Sequence, residues 1–253
     1  MLTVLMRRII RAIEVVRFYR NWPVCFLCYF GFLRHREVTY ILRNGIKFMV
    51  AASDLEAIAA INDSWFRQLY TPLGDEIQAN YTVVDIGAHI GSFSIFASTH
   101  ANAVKVYSYE PQQENFRYLT ENIKLNGLEN IKAFQLAVSG SRGKVRLYTD
   151  GKRSTAHSTT IPTRSYEEVN CVTLDDVLDN NQIQNCDLLK MNCEGAEYEI
   201  LFSTPKSTLA RVKNISLEWH DVPPYHIDDL KRHLENMEFD VWFGKMFYAK
   251  RRA

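Results

Sequence analysis

The stretch Val83-Val84-Asp85-Ile86-Gly87-Ala88-His89-Ile90-Gly91 constrains the fold more than any other part of the chain. A β-branched run enters a glycine turn, and an apolar helical pattern (Phe93, Ile95, Phe96) follows. An open α/β sheet presents a nucleotide-type ligand at the carboxyl end of its first strand in this way. A dinucleotide fingerprint keeps its second glycine bare so that a pyrophosphate can approach the backbone, and here that position is His89. Keeping Gly87 and Gly91 while filling the middle favours a ligand without a pyrophosphate, of which S-adenosylmethionine is one. Glu110 closes the next strand, Lys105 to Glu110, and lies 19 residues beyond Gly91. An acid about 20 residues on is where a ribose diol is gripped.

Strand and helix patterns alternate from Thr82 onward. Gln113 to Leu125 carries Phe116, Leu119 and Ile123 on one helical face and ends at Asn126-Gly127, a left-handed cap. The predicted third strand is Ile131 to Val138, a short strand covers Lys144 to Tyr148, and the fourth is Asp187 to Met191. A helix starts at Ala196, the fifth strand is Ile215 to His220, and a helix over Ile227 to Glu238 turns Ile227, Leu230, Leu234 and Met237 inward. Phe239 to Phe243 and Lys245 to Ala249 meet at Gly244, a connection short enough to force them antiparallel. Upstream, Asn44-Gly45 joins Val38–Leu42 to Ile46–Val50 as a hairpin, and Ser53 to Tyr70 reads as a helix. Thr149 to Ser165, with eight Ser or Thr in 17 residues and no apolar period, reads as a loop: a lid, a substrate-binding loop or a disordered segment.

With 253 residues, the chain suits one large α/β domain, residues 37–253, preceded by an extension over 1–36. Its 30 basic and 29 acidic residues give no global charge that argues for nucleic acid. Five cysteines, mostly in apolar runs, fit reduced thiols of a cytoplasmic protein, and Cys25-Phe26-Leu27-Cys28 lacks the second ligand pair that zinc needs. In the extension, Arg7, Arg8, Arg11, Arg17 and Arg20 interleave with Ile9, Ile10, Ile13 and Val16. The apolar run Val24 to Leu33 is half the roughly 20 residues of a bilayer span, and no small-residue cleavage site marks a secretory signal. Either two helices pack on the domain, or a basic amphipathic helix lies on a membrane surface.

Three segments together resemble the FkbM-type S-adenosylmethionine-dependent methyltransferases. They are Asp85 to Gly91; Tyr109-Glu110-Pro111 with Asn115, Asn122 and Leu125-Asn126-Gly127; and Lys190-Met191-Asn192-Cys193-Glu194-Gly195-Ala196-Glu197-Tyr198. Leu136 to Ser139 and Val172 to Asp176 add support, and the resemblance spans about Val38 to Lys250. It implies a Rossmann-like class I fold: α/β, with a mostly parallel seven-stranded sheet ending in an antiparallel hairpin, plus N-terminal helices. It also implies methyl transfer, typically to a hydroxyl oxygen, in pathways that build polysaccharides, glycolipids or macrolide-type compounds. Two positions depart from the family pattern: His89 stands where Asn is usual, and Asn192 where Asp is usual.

The residues then divide by role. Asp85, Gly87, His89, Gly91, Glu110, Pro111, Ala137 and Val138 are the candidate cofactor site: Asp85 beside the sulfonium, Glu110 on the ribose, Ala137 and Val138 along the adenine. A sugar hydroxyl is a weak acid, so a base near the arriving methyl should take its proton, an effect on the order of 10²–10⁴-fold. Candidates are His220, Glu194 and Asp221, with His157 on the loop; His220 is preferred for its ordinary pKa. Glu194 either caps the next helix or contacts substrate, and Asn192 orients the acceptor through its carbonyl oxygen. Glu218 and His220 alternate on one strand and so share a face, but no third ligand completes a metal site there. Asp187 sits at the wrong end of its strand and is structural. The leading reading is O-methylation of a sugar hydroxyl on a glycan or glycosylated small molecule. Methylation of a non-sugar acceptor and a cofactor-binding protein without turnover are the alternatives; a nicotinamide oxidoreductase is disfavoured by His89.

Overall fold

A computed structural model describes residues 13–71, 77–149, 157–158, 165–220 and 222–252. Arg7 to Arg11, Asp221 and most of the segment Thr149 to Ser165 lie outside these residues. Five parallel strands form the centre of a seven-stranded sheet: β3 (Thr82–Ile86), β4 (Lys105–Tyr109), β5 (Ile131–Phe134), β10 (Cys186–Met191) and β11 (Val212–Leu217). Their order is β5-β4-β3-β10-β11, continued at the β11 edge by β13 (Phe247–Arg251) and β12 (Phe239–Phe243). β13 runs antiparallel to both neighbours, as the short connection at Gly244 requires. This is the class I methyltransferase topology expected from the resemblance.

Helices α3 (Ser92–His100), α4 (Gln113–Leu125), α5 (Leu174–Asn180), α6 (Glu197–Ser203), α7 (Lys206–Leu209) and α8 (Ile227–Asn236) connect the strands. β3 and β10 are almost wholly buried because helices cover both faces, which is why they read as continuous apolar runs rather than alternations. Two buried clusters result, one per face: Val84, Leu189, Tyr198 and Leu234 in one, Val83, Phe93, Phe96 and Leu188 in the other. The ends of α4 fall where the sequence puts them. The Gln112 side chain accepts from the Asn115 N–H at 2.7 Å, and Gly127 takes φ +63°.

Four expectations are corrected. The predicted strand Ile131 to Val138 breaks after Phe134. Its tail, β6 (Ala137–Val138), joins a separate sheet of order β6-β9-β7-β8 with β7 (Gly143–Thr149), β8 (His157–Ser158) and β9 (Ser165–Val172). Part of the predicted loop is therefore strand. β9 was hidden because its outer residues, Ser165 to Glu168, are all exposed and show no alternation. Finally, β11 stops at Leu217, so Glu218 and His220 do not share a strand face. The predicted helix over 53–70 is also shorter, Leu55–Trp65 (α2).

The N-terminal segment is joined to the domain core rather than hinged to it. Residues 13–18 are helical, α1 spans Trp22–Tyr29, and β1 (Glu37–Ile41) and β2 (Lys47–Ala51) form the predicted hairpin. Tyr19 is fully buried, its hydroxyl donating to Asn62 Oδ1 at 2.9 Å, and Phe18 stacks on Phe66 at 3.7 Å. The hairpin is tied to α4 by asparagines: Asn122 and Asn126, one turn apart, bond the backbone of Met49 and Lys47 as a neighbouring strand would. No described helix is long and apolar enough to cross a membrane.

Candidate active site

A cavity of about 280 Å³ opens at the carboxyl ends of β3, β4 and β10, with α2 as its outer wall. The β3 turn forms the floor, and its glycines are required by packing. A Cβ on Gly87 (φ +74°) would stand 1.9 Å from the Asn192 carbonyl oxygen, and one on Gly91 (φ +86°) 2.7 Å from Leu119 Cδ1. Gly87 lines the cavity, whereas Gly91 serves the α3–α4 packing. His89 lies between them at φ +52°, a left-handed conformation that Asn adopts more easily than His. Its N–H donates to Glu110 Oε2 at 2.8 Å.

Glu110 is buried in the cavity wall beside Pro111. Its Oε1 accepts from the Gln112 N–H at 3.0 Å, and Asn115 adds a side-chain bond. Burial raises this carboxyl to about 7, against the opposing pull of those donors and of the Lys190 charge. Such a group gains from a ligand that donates hydroxyls to it. Ala137 and Val138 line the opposite wall with Leu136, although they belong to the second sheet.

Asp85 is placed differently from expectation. It is fully buried and does not line the cavity: Lys190 Nζ lies 2.8 Å from Oδ1, and Ser94 Oγ donates to Oδ2 at 2.6 Å. Lys190 Nζ also donates to the Gly87 carbonyl at 2.8 Å. The carboxylate therefore neutralises a lysine that locks β10 to the β3 turn. Asp187 is likewise structural, bonded by the Thr82 N–H and paired with Lys213.

Asn192 lines the cavity at the end of β10. Its Nδ2 donates to Tyr70 Oη at 3.3 Å, while Oδ1 is buried with no hydrogen-bond partner. Glu194 lines the same wall at φ +53°. Burial raises its carboxyl to about 7; His220 opposes this, while Glu218, Glu197 and Glu56 add to it. Behind it stands His220, with Nε2 3.4 Å from Glu194 Oε2 and Nδ1 3.4 Å from Glu197 Oε1. Glu197 is fully buried in the first turn of α6, its Oε1 also accepting from the Cys193 N–H at 3.0 Å. Burial alone would lower the His220 imidazole, but the Glu197 contact and the charges of Glu197, Glu194 and Glu218 outweigh it and raise it to about 9. At neutral pH His220 is thus an imidazolium and does not accept a proton, contrary to the preference for it as the base. The Cys193 thiol is pushed well above its usual range by burial and is no nucleophile. Among the described residues no three His, Cys, Asp or Glu side chains converge as metal ligands.

The FkbM methyltransferase domain matches residues 85–243, which include every site element from the β3 turn to His220. The chain belongs to the FkbM methyltransferase family. The methyltransferase sdnD of Sordaria araneosa is 27% identical over 198 residues, covering 65% of this chain and 76% of that protein. The AMB antimetabolite synthetase AmbE of Pseudomonas aeruginosa is 25% identical over 201 residues, 61% of this chain but only 9% of that much longer protein. Among solved structures, PH0793 of Pyrococcus horikoshii superposes at a TM-score of 0.50 with 14% identity, covering 87% of this chain and 73% of its own, a likeness of fold. Membership makes S-adenosylmethionine the methyl donor. The residues present fit it: a buried carboxylate for hydroxyls and apolar walls at Leu136 to Val138.

Sequence reasoning missed Tyr70, Lys190 and Glu197 as site residues. Tyr70 was placed at the end of a helix, with no pattern to set it against Asn192. Lys190 and Glu197 lie in the family-like segment Lys190 to Tyr198, but only their contacts give them roles.

Proposed function

We propose that this chain O-methylates a hydroxyl of a neutral, sugar-like acceptor, as a step in making a polysaccharide or a glycosylated small molecule. The observation that carries this is the acidic half of the cavity: Glu56, Asp63, Glu194 and Glu218 line it together with Ser64 and Asn192. Carboxylates and amides accept from several hydroxyls at once and repel an anionic acceptor.

When bound, the donor supplies an electrophilic methyl group on a sulfonium. Glu110 holds the ribose hydroxyls, with Asn115 and the His89 N–H fixing the carboxylate. Asn192 Oδ1 accepts from the acceptor hydroxyl and aligns its oxygen, the positioning that methyl transfer chiefly needs. A Glu194 carboxylate oxygen then takes the hydroxyl proton, since a carboxyl near 7 is substantially ionised at neutral pH. His220 acts through Glu194: its imidazolium, oriented by Glu197, stabilises the ionised carboxylate.

The test measures S-adenosylhomocysteine release from a panel of neutral glycans, glycosides and simple alcohols. Glu194→Gln should lower kcat on the order of 10²–10⁴-fold while leaving S-adenosylhomocysteine affinity unchanged. His220→Gln removes a charge that lowers the Glu194 pKa, so the acidic limb of its kcat profile should move to higher pH. An unaltered rate in Glu194→Gln, or turnover of sugar-free alcohols with none of glycans, would overturn the reading.

A further inference from the structure

The segment before β1 carries a surface that the methyl-transfer site does not use. One side of α1 is buried through Cys25 and Cys28. The other side and the turn after it leave Trp22, Leu27, Tyr29, Phe30 and Phe32 exposed, Phe30 at 66% and Phe32 at 74%. Large apolar side chains this exposed and this close together mark a contact surface. Tyr29 packs edge-on against Phe30, and Gly31 at φ +79° turns the chain so that Phe30 and Phe32 both protrude.

The charge around this tip selects its partner. Arg34, packed at Gly31, and Arg17, Arg20 and Arg36 on the same segment are exposed, and among the described residues none has a carboxylate within ion-pair distance. Residues 1–36 hold seven arginines against one glutamate, whereas residues 37–253 hold 23 basic against 28 acidic residues. The near-neutral total hides a cationic end on an anionic body. Inserted apolar side chains with a ring of cations are the paired signals that hold a protein on an anionic bilayer, with Trp and Tyr suited to the headgroup level.

We infer that residues 22–36 dock on an anionic lipid bilayer, with Phe30 and Phe32 entering the interface and Arg20, Arg34 and Arg36 facing lipid phosphates. The helix that precedes this surface is tied to the cavity's outer wall, because Phe18 stacks on Phe66, which caps the end of α2. Docking therefore brings the cavity to an acceptor carried at the membrane.

Flotation of the full chain with vesicles of phosphatidylcholine alone, or enriched in phosphatidylglycerol, tests this. At low salt the enriched vesicles should carry at least about tenfold more protein, and the excess should fall as salt rises. Phe30→Ser/Phe32→Ser should lose most of that binding while keeping S-adenosylhomocysteine affinity. If that variant is poorly folded, Arg34→Gln/Arg36→Gln, which alters only exposed side chains, should show the same loss. Absence of binding to either vesicle, or full binding by both variants, overturns the inference. A concentration-dependent dimer that Phe30→Ser/Phe32→Ser abolishes, without vesicle binding, assigns the tip to a second copy of the chain instead.

Discussion

Glu110 offers a quantitative check on the cofactor site. Without ligand, its carboxyl sits near 7 because burial outweighs the donors from His89, Gln112 and Asn115. Ribose hydroxyls that donate to it favour the charged form, so S-adenosylhomocysteine binds the ionised carboxylate and its binding expels whatever proton is there. At pH 6, one unit below the raised value, about 0.9 proton is bound and must leave; at pH 8 about 0.1 remains. The sign follows: affinity rises with pH through the raised pKa and levels off above it. The dissociation constant should be about tenfold weaker at pH 6 than at pH 8, equivalent to about 1.4 kcal/mol. S-adenosylhomocysteine is the right probe, since it lacks the sulfonium charge. Calorimetry at pH 6 in two buffers of different ionisation enthalpy counts the released protons directly. Glu110→Gln cannot release one, so its affinity should be weaker by roughly 1.5–3 kcal/mol at pH 8 and lose most of its pH dependence. A flat dissociation constant between pH 6 and 8 with no proton release would refute Glu110 as the ribose ligand. Equal proton release in the wild type and Glu110→Gln would move the titration to Glu194.

Gly87→Ala should destabilise the fold far more than Gly91→Ala, judged by urea unfolding. Both incur about 1–2 kcal/mol for the left-handed backbone, but Gly87 adds collision with the Asn192 carbonyl, whereas Gly91 meets only the tip of Leu119. Asp85→Asn should cost about 3–5 kcal/mol by leaving Lys190 buried without its counter-charge. Asp85→Asn/Lys190→Met should recover much of that loss, and a single-mutant cost below 1 kcal/mol would return Asp85 to the list of ligand contacts.

The parallel sheet was legible because most of its strands are apolar-rich segments alternating with helices whose ends are readable, as at Gln113–Leu125. The glycine turn and the acid closing β4 were legible because their spacing is local. What failed was nonlocal. Asp85 looks like a ligand contact until Lys190, 105 residues later, is seen beside it. Ala137 and Val138 continue the apolar run of β5, and only pairing with β9 takes them out of the main sheet. His220 has a suitable ordinary pKa, but Glu197 and Glu194, both more than 20 residues upstream, convert it from proton acceptor to fixed cation. Periodicity reports which side of an element is buried, but not which charge lies opposite.

The outer wall of the cavity lies before the stretch that matches the family domain. Glu56, Asp63, Ser64 and Tyr70 all precede residue 85, where the match to the family domain begins, while Glu110, Asn192 and Glu194 lie within it. On the proposed mechanism, the groups assigned to the methyl donor and to the proton sit within the matched domain, and much of the surface proposed to meet the acceptor precedes it. Such a division lets substitutions on α2 redraw acceptor choice without disturbing the methyl donor. Exchanging the 53–70 segment between two relatives is then a route to new specificity in which the shared scaffold stays whole.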